Sequence, residues 1–265
     1  MSRADDLRRI EQALESAGTV LGRFTPGQIA HRIKERGDPV TEADMAVNEA
    51  LLRELPRDDE GWLSEETADD AKRLEKSRVW VVDPVDGTRE FVAGIPEWCV
   101  SVGLVEQGRP VAGGLCIPAR GLIVVGAVGT GVRANGEPCR ARDVESLDGA
   151  EVLASRSEMR RGEWKRFEAE AFTVRPMGSV ALKLGLVAAG MSDATWTLVP
   201  KHEWDVAAGT ALVLAAGGEV WTLDGQAPQF NKPDPRFSGL IATAPALRGP
   251  VESLLAGSRP VDSAG

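Results

Sequence analysis

The sequence is poor in the groups on which many enzyme classes depend. Its two histidines, His31 and His202, are too few for a histidine-based zinc site. No G-x-S-x-G elbow accompanies them, so a Ser-His-Asp relay has no supporting motif. The three cysteines, Cys99, Cys116 and Cys139, are odd in number and lack C-x-x-C spacing. They read as reduced core thiols of a cytoplasmic protein. There is no basic excess: 31 Lys and Arg face 40 Asp and Glu, a net charge of -9. That balance argues against a nucleic-acid backbone or an anionic membrane as partner. No apolar run reaches the ~18 residues of a membrane span. The N-terminal stretch has no apolar core of a secretory signal. Internal repeats, low-complexity tracts and obvious linkers are also missing. Length then allows one large domain or two tightly fused halves, 1–145 an α+β half and 146–265 an α/β half.

What is present is a normal core-forming composition, 43% hydrophobic and 27% charged. Leu7, Ile10, Leu14, Ala17 and Leu21 share one helical face, predicting a helix over 5–22. A polar connection with Pro26, Gly27, Gly37 and Pro39 leads to a second helix, opening at Thr41 and running to about Leu55. Residues 56–78 read as a charged loop with Trp62 and Leu63 turned inward. A short buried strand at 79–82 runs into Asp83-Pro84-Val85-Asp86-Gly87-Thr88. Apolar runs at 98–105, 111–117 and 122–128 predict an antiparallel meander. The second half reads as a strand at 151–154, a helix over 160–171, a strand at 173–176 and a helix from Gly178-Ser179 to about Ala189. A strand at 193–199 and a helix from Trp204 to Ala216 follow, the helix stopped by Gly217-Gly218. Final strands fall at 220–222 and 240–242.

Three groups of acids stand out: Glu65 and Glu66 in a loop, Asp83 and Asp86 after a buried strand, and Asp205 at a helix start. Hard cations such as Mg²⁺ take oxygen ligands and bridge carboxylates to substrate phosphate. Two acids separated by Pro84-Val85 can turn toward one point, joined by the intervening carbonyl. If a helix begins at Gly87-Thr88, its free N–H groups face the same point and can hold a phosphoryl oxygen. A Thr hydroxyl there can also orient a water. Carboxylates for metal beside amides for phosphate are what metal-assisted phosphate ester hydrolysis needs. Each part also has an ordinary reading. Asp-Pro and Asp-Gly form turns, Glu65-Glu66 suits a solvated loop, Asp205 suits a helix dipole, and Thr41 with Asp44 makes a capping box.

Taken together, the chain resembles the inositol monophosphatase superfamily, the lithium-sensitive Mg²⁺ phosphatases, over nearly its whole length. The resemblance rests on Asp38-Pro39-Val40-Thr41-Glu42-Ala43-Asp44, on Leu63-Ser64-Glu65-Glu66-Thr67, and on the segment from Trp80 through Asp83-Pro84-Val85-Asp86-Gly87-Thr88 to Phe91. It continues in Gly178-Ser179, Glu203-Trp204-Asp205-Val206-Ala207-Ala208-Gly209 and Ala215-Ala216-Gly217-Gly218. It implies a layered αβαβα sandwich, mixed sheets flanked by helices, usually a homodimer. It implies two or three Mg²⁺ ions held by Glu65, Asp83, Asp86, Asp205 and the Val85 carbonyl. Asp44 and Thr88 would orient and deprotonate the attacking water, with Glu65 counted among the catalytic groups. Val85, Asp86, Gly87, Thr88, Gly178, Ser179 and Asp205 would border the substrate, Gly178 and Ser179 on the leaving-group side. The implied reaction is in-line attack of a metal-activated water on a small phosphorylated metabolite, without a phosphoenzyme.

Substrate signals are thinner. Asp86-Gly87-Thr88-Arg89-Glu90-Phe91 is similar to the corresponding run of CysQ-like 3'(2'),5'-bisphosphate nucleotidases. Leu198 stands seven residues before Asp205, where inositol monophosphatases usually carry an acid for inositol hydroxyls. The expectation is hydrolysis of 3'-phosphoadenosine 5'-phosphate to AMP. Inositol 1-phosphate, histidinol phosphate and fructose 1,6-bisphosphate stay open as alternatives, as does a silent phosphate- or metal-binding regulator. Lys183 or Lys201 could pair with a second phosphate, although a surface charge is the better explanation of either.

Overall fold

Val79, Val81, Trp80 and Val82 leave both faces of their strand apolar, so the strand needs cover on both sides, and the fold supplies it. The computed structural model describes residues 2–34, 39–57 and 59–257; Gly37 of the polar connection and Asp38 of the motif lie outside them. The helices are α1 (Arg3–Leu21), α2 (Glu42–Glu54), α3 (Thr88–Val92), α4 (Arg156–Arg160), α5 (Val180–Ala188), α6 (Glu203–Ala215) and α7 (Arg248–Gly257). The first strands are β1 (His31–Ile33), β2 (Pro39–Thr41), β3 (Gly61–Ser64) and β4 (Arg78–Asp86). Then come β5 (Cys99–Glu106), β6 (Arg109–Ile117), β7 (Leu122–Ala127), β8 (Gly131–Ala134) and β9 (Glu137–Cys139). The second half holds β10 (Glu151–Ser155), β11 (Thr173–Met177), β12 (Ala194–Thr197), β13 (Lys201–His202), β14 (Glu219–Thr222), β15 (Arg236–Phe237) and β16 (Leu240–Thr243).

Strands β3 to β9 form one sheet in sequence order, antiparallel except for the β3–β4 pair. A second, five-stranded sheet runs β11-β10-β12-β16-β14 and is mixed. Side chains alternate along β4. Trp80 and Val82 pack with Ile10 and Leu14 of α1 and Val47 and Leu51 of α2. Val79 and Val81 face the other way, into a core with Leu182 and Leu186 of α5 and Val206 and Leu212 of α6. That core reaches Leu153 and Ala242 of the second sheet. The sheet's outer face is closed by Trp164, Phe167, Leu247 and Val251. The result is the expected αβαβα order. Contact between α6 and the first sheet is close: a Cβ on Gly113 would lie 2.5 Å from the Ala208 carbonyl oxygen. Only glycine permits that approach.

Three local expectations change. The loop expected over 56–78 contains β3, which pairs parallel with β4 and is too short to show periodicity. The meander continues through β8 and β9. The helix expected over 160–171 does not form: α4 ends at Arg160, and Gly162 at φ +82° turns the chain. Only a single 3-10 turn, Lys165–Phe167, follows, and Trp164 and Phe167 pack on Trp196, the Trp164 and Trp196 rings stacked 5.0 Å apart. Cys99 and Cys116 are buried and all three cysteines are free. No helix among the described residues is long and apolar enough to cross a membrane.

Candidate metal and phosphate site

Asp83 and Asp86 lie three residues apart, so a regular strand would point them to opposite faces. The pairing of β4 with β5 corrects this. Asp83 sits opposite Ser101 and Asp86 opposite Cys99, so β4 carries one extra residue, a bulge at Pro84-Val85. Pro84 has no N–H to lose from the ladder, which suits it to that place. Asp205 arrives from the first turn of α6, where its Oδ2 accepts the His202 N–H at 2.8 Å. Carboxylate oxygens of Asp83, Asp86 and Asp205 all lie within 4.8 Å of one another.

Three acids so close should not all stay charged alone. Burial, then the fields of Glu65, Asp86 and Asp205, pushes the Asp83 carboxyl well above its ordinary range. Asp205 is raised well above it too, by desolvation and then by Asp86 and Glu65. Asp86 rises by burial, restrained by hydrogen bonds to its Oδ2 from Ser179 Oγ and Ala181 N, both 2.6 Å. No Lys or Arg is ion-paired with Asp83 among the described residues; its Oδ1 accepts only the Val85 N–H. An all-oxygen cluster with surplus negative charge fits a hard divalent cation. Asp83, Asp86 and Asp205 would hold it, with the Val85 carbonyl beside them.

Glu65 lines the same cleft but stands outside that tight cluster. Its Oε1 accepts Lys34 Nζ at 2.8 Å, and the same ammonium meets Glu66. Burial raises the Glu65 carboxyl, and Lys34 opposes the rise. Lys34 is a contact that sequence reasoning missed, because nothing local links residue 34 to residue 65.

Asp44 and Thr88 do meet. Thr88 Oγ1 is 3.1 Å from Asp44 Oδ1 and 2.9 Å from the Val85 carbonyl oxygen, two acceptors within reach of its single hydrogen. The opposite carboxylate oxygen of Asp44 accepts from Thr41 N at 2.8 Å and Thr41 Oγ1 at 2.5 Å. The capping box is therefore real, and it leaves Oδ1 for Thr88. Burial raises the Asp44 carboxyl against these hydrogen bonds, making it a stronger proton acceptor than a surface Asp. The hydroxyl of Thr88, with its hydrogen so directed, keeps lone pairs to accept from a water.

Gly87 takes φ +96°, and a Cβ there would lie 2.8 Å from the Glu97 carbonyl oxygen. Conformation and space both demand glycine, and α3 starts directly after it. Gly178 and Ser179 also line the cleft. The Gly178 N–H is held by Glu97 Oε2 at 2.7 Å. The Ser179 hydroxyl is committed to Asp86, so it aims a carboxylate in the cluster as well as bordering the cleft.

The cleft, of about 730 Å³, has a second wall of opposite sign, which includes Arg156, Arg160, Arg161, Lys183 and Lys201. Lys183 is only 2% exposed, so it is no surface charge. Its burial lowers the ammonium to a pKa of about 8. Arg156 is spent on Glu97 at 2.5 Å and Arg161 on Glu163 at 2.5 Å. Leu198 does not face this cleft. It packs beside Leu223 in the core of Trp196 and Ile241, on the second sheet's outer face, while Val199, Pro200 and Lys201 face the site. The inference drawn from an apolar residue at 198 therefore falls.

Residues 5–256 match the model of the inositol monophosphatase family. The chain belongs to the inositol monophosphatase family. It is 34% identical over 245 residues to a Xylella fastidiosa protein named Nus factor SuhB, covering 87% of each chain. It is 32% identical over 224 residues to a Mycobacterium bovis 3'-phosphoadenosine 5'-phosphate phosphatase, covering 78% of this chain and 80% of that one. The solved structure of a Thermotoga maritima IMPase superposes with a TM-score of 0.82 at 26% identity, covering 96% of this chain and 98% of that one. Family membership makes the chain a metal-dependent phosphoric monoester hydrolase acting on small phosphorylated metabolites.

Proposed function

We propose that the protein is a Mg²⁺-dependent phosphatase of a bisphosphorylated metabolite, with 3'-phosphoadenosine 5'-phosphate as the leading substrate. The observation that carries this reading is the pairing of two walls in one cleft. An unpaired cluster of three carboxylates faces cations whose charge is only partly used within the protein. A substrate with one phosphate needs only the first wall and its cation. A second phosphate gives Lys183 and Arg160 an anionic partner and Lys201 a closer one than Glu158. Mg²⁺ at the carboxylates would neutralise developing charge on the phosphoryl oxygens and activate the attacking water.

The chain's own residues would do the rest. Asp83, Asp86 and Asp205 hold the cation, with Glu65 joining them if Lys34 yields. Asp44 keeps the Thr88 hydrogen directed toward itself, so the Thr88 oxygen accepts from the attacking water and fixes its direction. Asp44 then takes the proton through Thr88. The first N–H groups of α3, behind Gly87, have no partner inside the helix and face the phosphoryl oxygens. Gly178 and Ser179 border the leaving group.

The family's names leave the ester open, since relatives of similar identity are named for different activities. A silent regulator is the reading of another class. Every acid that the resemblance assigns to the metal is present, which weighs against it. The test is phosphate release with Mg²⁺ from 3'-phosphoadenosine 5'-phosphate, inositol 1-phosphate, histidinol phosphate and fructose 1,6-bisphosphate. Release mainly from the nucleotide supports the reading. Release mainly from the inositol ester sinks the nucleotide, and silence on all four with Mg²⁺ bound favours the regulator.

A further inference from the structure

One buried carboxylate in the basic wall has no task in the chemistry above. Glu158, in the only full turn of α4, is 1% exposed. Its Oε1 accepts Thr197 Oγ1 at 2.5 Å, and its Oε2 accepts Trp164 Nε1 at 3.4 Å. Its backbone N–H is capped by Ser155 Oγ at 3.4 Å. Strand β12, the Trp164 turn and the end of β10 therefore fix it from three directions. A carboxylate held this firmly and kept from water costs stability unless a cation answers it.

The cation is Lys201. Its Nζ lies 3.6 Å from Glu158 Oε1, with 17% of the lysine side chain exposed to the cleft. A charge-assisted hydrogen bond would be about 2.7–2.9 Å. At 3.6 Å the pair aims the ammonium without consuming its three protons, which stay available to a ligand. Lys183 is the second ammonium nearby, its Nζ giving one hydrogen bond to the Ser179 carbonyl at 2.9 Å and having no carboxylate within ion-pair distance among the described residues. Asp86 favours charge on Lys183, Lys201 opposes it, and Glu158 favours it more weakly than Asp86. Asp86 from the cluster and Glu158 from behind the lysines thus both offset the repulsion between the two ammonium groups, and Glu158 is the one of the two that also touches Lys201. On the same short helix, Arg160 reaches the rim of the cleft with no carboxylate partner among the described residues.

We propose that Lys201, aimed by Glu158 as a positioning residue, forms with Lys183 the subsite for the phosphoryl group that is not cleaved, and so sets the preference for bisphosphorylated substrates. This rests on the reading of the cleft as that of a bisphosphate phosphatase. The subsite recognises a dianionic phosphoryl group whatever carries it.

The test compares pairs of substrates that differ only in the second phosphate. One pair is adenosine 3',5'-bisphosphate with adenosine 3'-monophosphate; the other is fructose 1,6-bisphosphate with fructose 1-phosphate. In the wild type, kcat/KM favours the bisphosphate of at least one pair by tenfold or more. Lys201→Met removes most of that preference, a loss of about 10- to 100-fold for one charge-assisted contact. The loss falls on KM, with kcat on the bisphosphate moving little. Glu158→Gln shifts KM the same way by a smaller factor, about three- to tenfold, and Glu158→Asp recovers part of it. Lys201→Met carries the test by itself if the buried Glu158 variants do not fold. A preference confined to the sugar pair and lost in Lys201→Met sinks the nucleotide reading and keeps the subsite. A wild type indifferent to the second phosphate in both pairs overturns the subsite, as does a Lys201→Met enzyme that keeps the preference. Neither result touches the phosphatase reading.

Discussion

Two groups of buried acids in this protein lie at opposite ends of β3 and β4 and behave in opposite ways. At the start of the strands, Glu60 accepts from Arg9 at 2.5 Å, Arg78 at 3.0 Å and Trp80 Nε1 at 2.9 Å. Arg78 also binds Asp6 at 2.5 Å and pairs with Glu106. Burial alone would raise the Glu60 carboxyl, yet these hydrogen bonds outweigh it and hold it below its usual range. At the far end, Asp83 is just as inaccessible, receives one backbone hydrogen bond, and is raised well above its range by burial and by neighbouring acids. The first group is finished by the fold. The second is left one cation short, and that deficit marks the site. Buried acids alone do not indicate function; a buried acid such as Asp83, with no cation ion-paired to it among the described residues, does.

The contrast makes opposite demands on matched substitutions. The largest effect is expected from Asp83→Asn. Turnover in Mg²⁺ should fall by about a thousandfold or more, some 4 kcal/mol, and Mg²⁺ binding should weaken in a direct titration. The same change should make the metal-free protein more stable at pH 7, because one uncompensated charge is removed. Glu60→Gln should do the reverse. Leaving Arg9 and Arg78 short of their partner should cost about 3 kcal/mol in denaturant unfolding, while Mg²⁺ affinity stays as in the wild type. If Asp83→Asn destabilised the metal-free fold as much as Glu60→Gln, the distinction between the two groups would collapse.

Thr88→Ala should lower kcat by about a hundredfold while Mg²⁺ still binds, separating the water-orienting pair from the metal cluster. Full activity in this variant breaks the assignment of Thr88.

On the basic side the effect is one of stability alone. Lys183 has a pKa lowered from 10.5 to about 8 by burial. The unfolded chain keeps that proton up to higher pH than the native state does. The lysine's cost is therefore fully present below pH 8 and disappears as pH rises toward 10.5. Lys183→Met should stabilise the ligand-free protein by up to about 3 kcal/mol at pH 7. Its advantage should shrink between pH 8 and 10.5 in paired denaturation curves. A constant advantage across that range would mean that packing, not charge, explains it.

Much of this was legible in the sequence because the signals were local. The amphipathic spacing of Leu7 to Leu21 defined α1, and the buried run before Asp83 defined the core of β4. The order of acids around Asp83-Pro84-Val85-Asp86-Gly87-Thr88 pointed to metal-assisted phosphate chemistry. What escaped depended on chain segments far apart. Strand β3 has four residues and exists because β4 pairs with it. The helix expected at 160–171 lost to Gly162 and to the stacking of Trp164 on Trp196, 32 positions away. Leu198 looked diagnostic by its distance from Asp205, but spacing gives no face, and the strand end turned it away from the cleft. Lys34 and Glu158 have no motif at all; only the fold brings one to Glu65 and the other to Lys201.

The central claim is that Asp83, Asp86 and Asp205 form a cation site left open by the fold. Calorimetric titration of the metal-free protein with Mg²⁺, wild type beside Asp83→Asn and Glu60→Gln, tests it most directly. Saturable binding is expected for the wild type and for Glu60→Gln, and binding lost or strongly weakened in Asp83→Asn. Equal binding by all three proteins, or none by the wild type, would contradict it.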